Sequence, residues 1–330
     1  MNGHDFTENE LRQVYGNALA DDSVQLREDA VDIERAGQGV NTGFMLHNRK
    51  ADGTFSQFDL KLAKYAVTMV TARTGDGKTT WMTNLAVGAS NLGAMGLFVT
   101  LEEPRFQIRA KMLACYSVLS EINFSSEWLE TWQALNVING KNKHKSFLGF
   151  MKDISANCRI IDANRDHGGP IEASGMFYTP QYLADLVDFY NAENVRPLEY
   201  IIIDFGQLLE SVDGDNSNSY QRMKSVMQSC KNLAAKHGIA VVIGAQLQRS
   251  CSLLSPWEYQ SENIRDGSDM EQAAALILAS GHDKEYPDQN VSMVCRVLKN
   301  RNGPKRVSGM FNINFPCNFI PRIGVQPVDY

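Results

Sequence analysis

No stretch of this chain is long and apolar enough to read as a membrane span, and its opening residues lack both the apolar core of a secretory signal and the basic character of a transit peptide. The expectation is a soluble cytoplasmic protein. Cysteine is sparse and scattered: Cys115, Cys158, Cys230, Cys251, Cys295 and Cys317 stand singly, with no C-x-x-C pair, and the six histidines form no H-E-x-x-H. That pattern argues against a disulfide framework and against a structural or catalytic zinc. Positive charge is also short, with 32 Lys and Arg against 38 Asp and Glu, a net charge of -6. The whole molecule therefore has no electrostatic attraction for nucleic acid, and any DNA contact must come from a local patch. No internal repeat and no low-complexity tract is found. What is present, 43% hydrophobic and 21% charged residues over 330 positions, suffices for one large core or two modest ones.

Near the start, Thr7-Glu8-Asn9-Glu10 has the capping-box order, and Leu11, Val14, Tyr15, Ala18 and Leu19 follow at helical spacing. An amphipathic helix is expected there, packed on its own core or docked on a neighbouring subunit. Ala36-Gly37-Gln38-Gly39 then separates this segment from the rest, giving an N-terminal segment 1–39 and a main domain 40–330. Within that domain short β-branched runs alternate with longer amphipathic runs, the pattern of a mostly parallel sheet flanked by helices. Strands are expected at Val67–Thr71, Gly96–Leu101, Cys158–Ile161, Tyr200–Ile203 and Ile239–Gly244. Helices are expected at Lys78–Asn91, Arg105–Leu119, Pro180–Tyr190 and Tyr220–His237. The closely spaced runs Ala275–Ala279, Val291–Leu298 and Val307–Ile313 suggest extra edge strands at the C-terminus. The stretch 120–157 shows no clear period, and its small basic cluster, Lys141, Lys143, His144 and Lys145, reads as a solvated loop.

The first of these strands runs directly into Ala72-Arg73-Thr74-Gly75-Asp76-Gly77-Lys78-Thr79-Thr80, and a helix follows. Strand, glycine-bearing loop and helix start are the context a phosphate-binding loop requires. Glycines let backbone N–H groups face the phosphates, Lys78 can reach the β- and γ-oxygens, Thr79 can ligate Mg²⁺, and the helix start adds its positive dipole end. The regular pattern has glycine where this chain has Ala72.

Hydrolysis needs further groups at the same sheet edge. Tyr200-Ile201-Ile202-Ile203-Asp204 is a buried-strand pattern ending in a carboxylate, which suits Asp204 to the metal side. Leu97 to Leu101 ends in Glu102-Glu103-Pro104; Glu102 can orient and deprotonate water, while Glu103 suits a helix N-terminus. The run ending Ala245-Gln246 places an uncharged amide there, able to sense a γ-phosphate.

Together these segments resemble the C-terminal, RecA-like motor domain of DnaB-type replicative helicases over most of the chain. Val40-Asn41-Thr42-Gly43-Phe44 is similar to the family's approach to its phosphate loop, which characteristically opens Ala-Arg, as Ala72-Arg73 does here. Val99-Thr100-Leu101-Glu102, Ile203-Asp204-Phe205-Gly206-Gln207-Leu208 and Gly244-Ala245-Gln246-Leu247-Gln248-Arg249 resemble its catalytic-glutamate, metal and glutamine-sensor strands. Most specific is Lys299-Asn300-Arg301-Asn302-Gly303-Pro304, similar to the family's Lys-x-Arg-Asn-Gly-Pro. By that resemblance Lys299 and Arg301 reach a neighbour's γ-phosphate, in a homohexameric ring with single-stranded DNA through its centre. The resemblance also implies ATP and Mg²⁺ as cofactors, DNA replication as the setting, and a helicase loader or primase as a partner. It further implies that the family's N-terminal helical domain is absent, leaving residues 1–39 at most a linker helix. A phage or plasmid origin, and for a phage the bacterial host cytoplasm, is then the natural setting.

The DNA-facing loops depart from the family. Ser211 to Ser219 is acidic and lacks Lys and Arg, leaving backbone N–H groups or the later Arg222 and Lys224 to meet phosphate. Asn263 to Gln272 keeps Arg265, Glu271 and Gln272 of the family's pattern but rearranges its small residues, so Arg265 is either a pore contact or a solvated arginine. An alternative therefore stands beside the ring helicase: a RecA-type ring ATPase that switches or remodels a protein partner without unwinding DNA. A strand-exchange recombinase shares the core but not the lysine-arginine turn, and ranks last.

Overall fold

The computed structural model describes residues 39–49, 54–119, 149–162, 179–194, 196–209, 219–265, 267–282, 292–301, 303–304, 307–312 and 319–321. The helix expected after Thr7, the basic cluster at 141–145 and most of the acidic loop 211–219 lie outside them. No helix among the described residues is long and apolar enough to cross a membrane.

Among the described residues ten strands form one sheet: β1 (Val40–Arg49), β2 (Phe55–Leu62), β3 (Ala66–Ala72), β4 (Gly96–Thr100), β5 (Cys158–Asp162), β6 (Tyr200–Asp204), β7 (Ala240–Gln246), β8 (Leu276–His282), β9 (Ser292–Asn300) and β10 (Val307–Asn312). Their spatial order is β2-β1-β10-β9-β8-β3-β7-β6-β4-β5. From β8 to β5 every neighbouring pair is parallel, and β9, β10, β1 and β2 continue the sheet antiparallel. Among the described residues the α-helices are α1 (Lys78–Asn91), α2 (Arg105–Leu119), α3 (Pro180–Glu193), α4 (Ser219–His237) and the short α5 (Gly267–Ala273).

The parallel strands are apolar at nearly every position because both of their faces are covered. Alternate residues of β6 divide between two cores: Tyr200 and Ile202 join α1 and α2, while Ile201 and Ile203 join α3, α4 and α5. Phe98 of β4 likewise faces the first core, and Leu97 and Val99 the second. Gly96 is required by close approach, since a Cβ there would fall 2.2 Å from the Tyr200 ring.

Two differences from expectation have a physical reason. The three C-terminal runs read from their sequence as added edge strands, but β9 and β10 lie between β8 and β1, the edges being β2 and β5, and β8 lies parallel to β3, with Thr68 opposite Leu276 and Ala72 opposite Ser280. Its closeness in sequence to β9 reflects their antiparallel pairing, while its apolar composition reflects burial between β3 and β9. The second difference is the β1–β2 hairpin, absent from the strands expected above. Val40, Thr42, Phe44 and Leu46 alternate inward on β1, and Leu60 and Leu62 do so on β2. Phe44 meets Trp81 of α1 at a ring separation of 5.2 Å, and Trp81 meets Phe311 of β10 at 5.2 Å. The antiparallel half of the sheet thereby supports the helix that follows the phosphate loop.

Candidate nucleotide site

Strand β3 ends at Ala72, and the chain turns through Gly75 (φ 84°) and Gly77 (φ 79°) before α1 begins at Lys78. Both angles lie in the left-handed region that glycine adopts without penalty. Gly77 has a second constraint: an added Cβ would fall 2.5 Å from Met293 of β9. Trp81 N–H donates to the Gly77 carbonyl at 2.9 Å, so the helix is already wound at its first turn, and the N–H groups before Trp81 precede the intrahelical ladder.

Around this turn the parallel sheet delivers acids from neighbouring strands. Lys78 Nζ lies 3.1 Å from Asp204 Oδ1 and 3.8 Å from Glu102 Oε2. The same ammonium sits 3.8 Å from the centroid of the Phe205 ring, a cation–π contact. Thr79 Oγ1 donates to Asp204 Oδ2 at 2.6 Å. Asp204 is 1% exposed, yet its Oδ1 has only the ion pair with Lys78 and no hydrogen bond of proper geometry. A buried carboxylate oxygen without a hydrogen bond, beside a hydroxyl, fits a Mg²⁺ site that Asp204 and Thr79 would hold.

The two glutamates at the tip of β4 differ. Glu103 is engaged by Lys111 of α2 at 2.6 Å, and its N–H is bound by Thr100 Oγ1 at 3.2 Å. The Glu102 side chain is half exposed and looks toward Lys78 across the cleft. Residues 72–75 and 77–80 line that cleft together with Glu102, Glu103, Lys111 and Gln246. Gln246 ends β7, and its carbonyl accepts the Arg265 N–H at 3.0 Å.

Lys299 and Arg301 stand elsewhere. Lys299 pairs with Ile277, and Arg301 N–H donates to the Ala275 carbonyl, whose own N–H donates to the Val67 carbonyl at the start of β3. Lys299 Nζ donates to the Glu271 carbonyl at 2.5 Å and Arg301 Nη2 to the Gln272 carbonyl at 2.9 Å. Two cations thus close the C-terminal end of α5, where the helix dipole favours them. Five residues of β3 separate that level from Ala72, roughly 16 Å at about 3.3 Å per residue. Of the remaining expected residues, Arg265 and Lys224 are exposed, while Arg222 is half-buried with Nη2 3.4 Å from the Gln207 carbonyl.

Sequence reasoning missed three participants, Lys111, Phe205 and Gly244, and the pairing of a fourth residue, Arg73, that it had placed in the loop. Lys111 binds Glu103, Phe205 carries the Lys78 ammonium, Gly244 leaves room beneath Lys78 and Asp204, and Arg73 is paired with Asp76 at 2.6 Å. Phe205 and Gly244 adjoin recognised strand ends, whereas the Lys111 and Arg73 pairings have no signal in spacing.

A parallel sheet delivering a glycine-bearing phosphate loop, an adjacent buried aspartate and a strand-end glutamate to one cleft defines a P-loop nucleotide-binding domain of RecA-like architecture. Residues 186–319 match the family described as DnaB-like helicase C terminal domain. The chain is 28% identical over 282 residues to the replicative DNA helicase DnaB of Haemophilus influenzae, covering 84% of this chain and 54% of that protein. It is 26% identical over 273 residues to the replicative DNA helicase DnaB of Buchnera aphidicola subsp. Acyrthosiphon pisum, covering 81% and 52%. The chain spans about half the length of these relatives. In fold it is similar to a solved ATPase domain, with a TM-score of 0.67, 17% identity, and coverage of 93% of this chain and 98% of that one. A DnaB-like replicative helicase described with its primase interactions superposes with a TM-score of 0.63 at 16% identity, covering 80% and 59%. The chain is thus similar to the C-terminal domain of DnaB-like helicases, by the family match over residues 186–319 and by its identity to these relatives.

Proposed function

We propose that this chain is the motor of a ring-shaped replicative helicase, hydrolysing ATP between subunits to move along single-stranded DNA. The observation that carries the proposal is the separation of the site into two halves. The cleft holds Lys78, Thr79, Asp204, Glu102 and Gln246, and the family-specific Lys299 and Arg301 lie too far along the sheet to complete it from the same chain. A second copy, presenting its Lys299–Arg301 turn to the cleft of the first, would supply the missing cations, and ring closure supplies such a neighbour to every subunit.

In this reading backbone N–H groups of Gly75 and of residues 77–79, together with the Lys78 ammonium, bind the β- and γ-phosphates. Thr79 and Asp204 would hold Mg²⁺, which when bound offsets charge on the phosphate oxygens. Glu102 orients and deprotonates the attacking water, and Gln246 reads the γ-phosphate by hydrogen bonding without adding negative charge. The neighbour's Lys299 and Arg301 offset charge that develops in the transition state, a contribution of about 10³ to 10⁵ in other NTPases. Arg265, with Arg222 and Lys224, would meet the DNA backbone. A loader or primase partner, a cytoplasmic location and a phage setting belong to the same proposal.

Steady-state ATP hydrolysis with and without single-stranded DNA tests it. DNA should stimulate turnover at low salt, and stimulation should fall steeply as salt rises. Turnover indifferent to DNA at low salt would remove the motor reading and favour the protein-remodelling ring, to which the net charge of -6 lends support. Within the site, Lys78→Ala should lose nucleotide binding, whereas Glu102→Gln should bind ATP and fail to turn it over. Wild-type affinity in Lys78→Ala would overturn the site assignment.

A further inference from the structure

The phosphate loop carries an acid in its middle. Asp76 sits between Gly75 and Gly77, 9% exposed, in a turn whose purpose is to present N–H groups and an ammonium to anions. A carboxylate at this place opposes binding, since it repels a triphosphate from a few residues away in a partly desolvated cleft. Its charge is met by Arg73: Nε donates to Asp76 Oδ2 at 2.6 Å, and both side chains are largely buried. The Asp76 N–H also donates to the Arg73 carbonyl at 3.1 Å, so the two residues close a turn with backbone and side chain together. A second nitrogen of the guanidinium is also held, with Nη1 donating to the Ser252 carbonyl at 3.1 Å in the turn that follows β7.

From this arrangement, and resting on the proposal that the cleft binds ATP, we infer that Arg73 is a positioning residue for nucleotide binding: it neutralises Asp76 and so keeps an acidic phosphate loop able to accept a triphosphate. With Nε and Nη1 engaged by Asp76 and Ser252, the guanidinium is oriented on the loop's own acid. The loop's anion affinity is thereby linked to the turn 249–253, which fixes the direction of the guanidinium.

A charge cycle on the full-length chain separates this role from the alternatives, with binding of a fluorescent ATP analogue in the presence of Mg²⁺ as the readout. Arg73→Ala exposes the Asp76 charge and should weaken binding by about tenfold or more at low salt, with a smaller deficit at high salt because the repulsion is screened. Asp76→Asn should bind as well as the wild type or better, and Arg73→Ala/Asp76→Asn should return to within about threefold of the wild type. A double variant as weak as Arg73→Ala would overturn the inference, since Arg73 would then act on phosphate directly or as a structural strap. Thermal melting without nucleotide identifies a variant that fails to fold. If Arg73→Ala does fail, Asp76→Asn decides: a loss of affinity in this variant overturns the inference, and retained or improved affinity supports it. A wild-type protein that does not bind the analogue would instead remove the underlying nucleotide-site reading.

Discussion

At the scale of single residues, the cleft depends on a small void. Gly244 of β7 lies beneath the Lys78 and Asp204 side chains, where an added Cβ would fall 2.9 Å from Met82 Sδ and 3.3 Å from both Asp204 Oδ1 and Lys78 Cδ. The methionine can yield, but the lysine and the aspartate can move only by changing the geometry that Mg²⁺ and the phosphates need. Gly244→Ala should therefore weaken Mg²⁺-dependent nucleotide binding by about tenfold, equivalent to about 1.4 kcal/mol. Calorimetric titration with and without Mg²⁺ checks this, and equal affinities in wild type and variant would mean the site tolerates the methyl group. Residues contiguous with a strand end, such as Lys78, Thr79, Asp204, Glu102 and Gln246, were legible in the sequence because an apolar run announces where its last residue must emerge. Gly244 announces nothing, since the reason for it is an approach between three elements distant in the chain.

At the scale of elements, α1 is the hinge between binding and folding. Its side chains are buried along almost its whole length, and Trp81 is wedged against Phe44 of β1 and Phe311 of β10. Phe311→Ala leaves a cavity beside that ring and should destabilise the chain by about 3–5 kcal/mol. Urea denaturation measures the loss, and a change below about 1 kcal/mol would mean the antiparallel strands are not part of the cooperative core. The helices and parallel strands were legible from period and from buried runs. The β1–β2 hairpin was hidden by Asn41 and Gly43 within its alternation, and the true place of β8 was hidden because sequence neighbours are read as spatial neighbours.

At the same scale, Lys299 near the end of β9 responds to pH. Burial lowers the Lys299 pKa from its ordinary value, and Arg301 lowers it further by like-charge repulsion, against an opposing effect of Glu271. A lysine with a lowered folded-state pKa loses its charge earlier on the alkaline side than lysines in the unfolded chain. Between the two pKa values the unfolded state binds more protons, so this group's effect on stability becomes more favourable as pH rises through that window. Its proposed catalytic charge is lost over the same range. Lys299→Arg, which stays protonated, should hold ATPase activity to higher pH than the wild type if the cation alone is needed. Identical alkaline limbs in the two proteins would assign that limb to another group.

At the scale of the whole molecule, the sheet divides the candidate catalytic groups between its two ends, and this division makes a quantitative demand on the proposed ring. Lys78 and Glu102 belong to the cleft at the C-terminal ends of the parallel strands, while Arg301 lies level with the start of β3. Arg301→Ala subunits should be inactive alone, and Lys78→Ala subunits should also be inactive alone, each lacking a different half of every interface. When the two are mixed in equal amounts and assemble at random in a ring, an interface pairs an intact cleft with an intact turn in about one case of four. The mixture should therefore recover up to about a quarter of wild-type turnover, and less if a ring needs consecutive competent interfaces. Hydrolysis by Arg301→Ala alone at the wild-type rate would show that the turn contributes nothing to the cleft. A mixture as silent as its components, with both variants assembled into rings, would mean that the two halves never meet across a boundary. Recovery within the range expected from random pairing would leave a neighbouring subunit as the source of the missing cations.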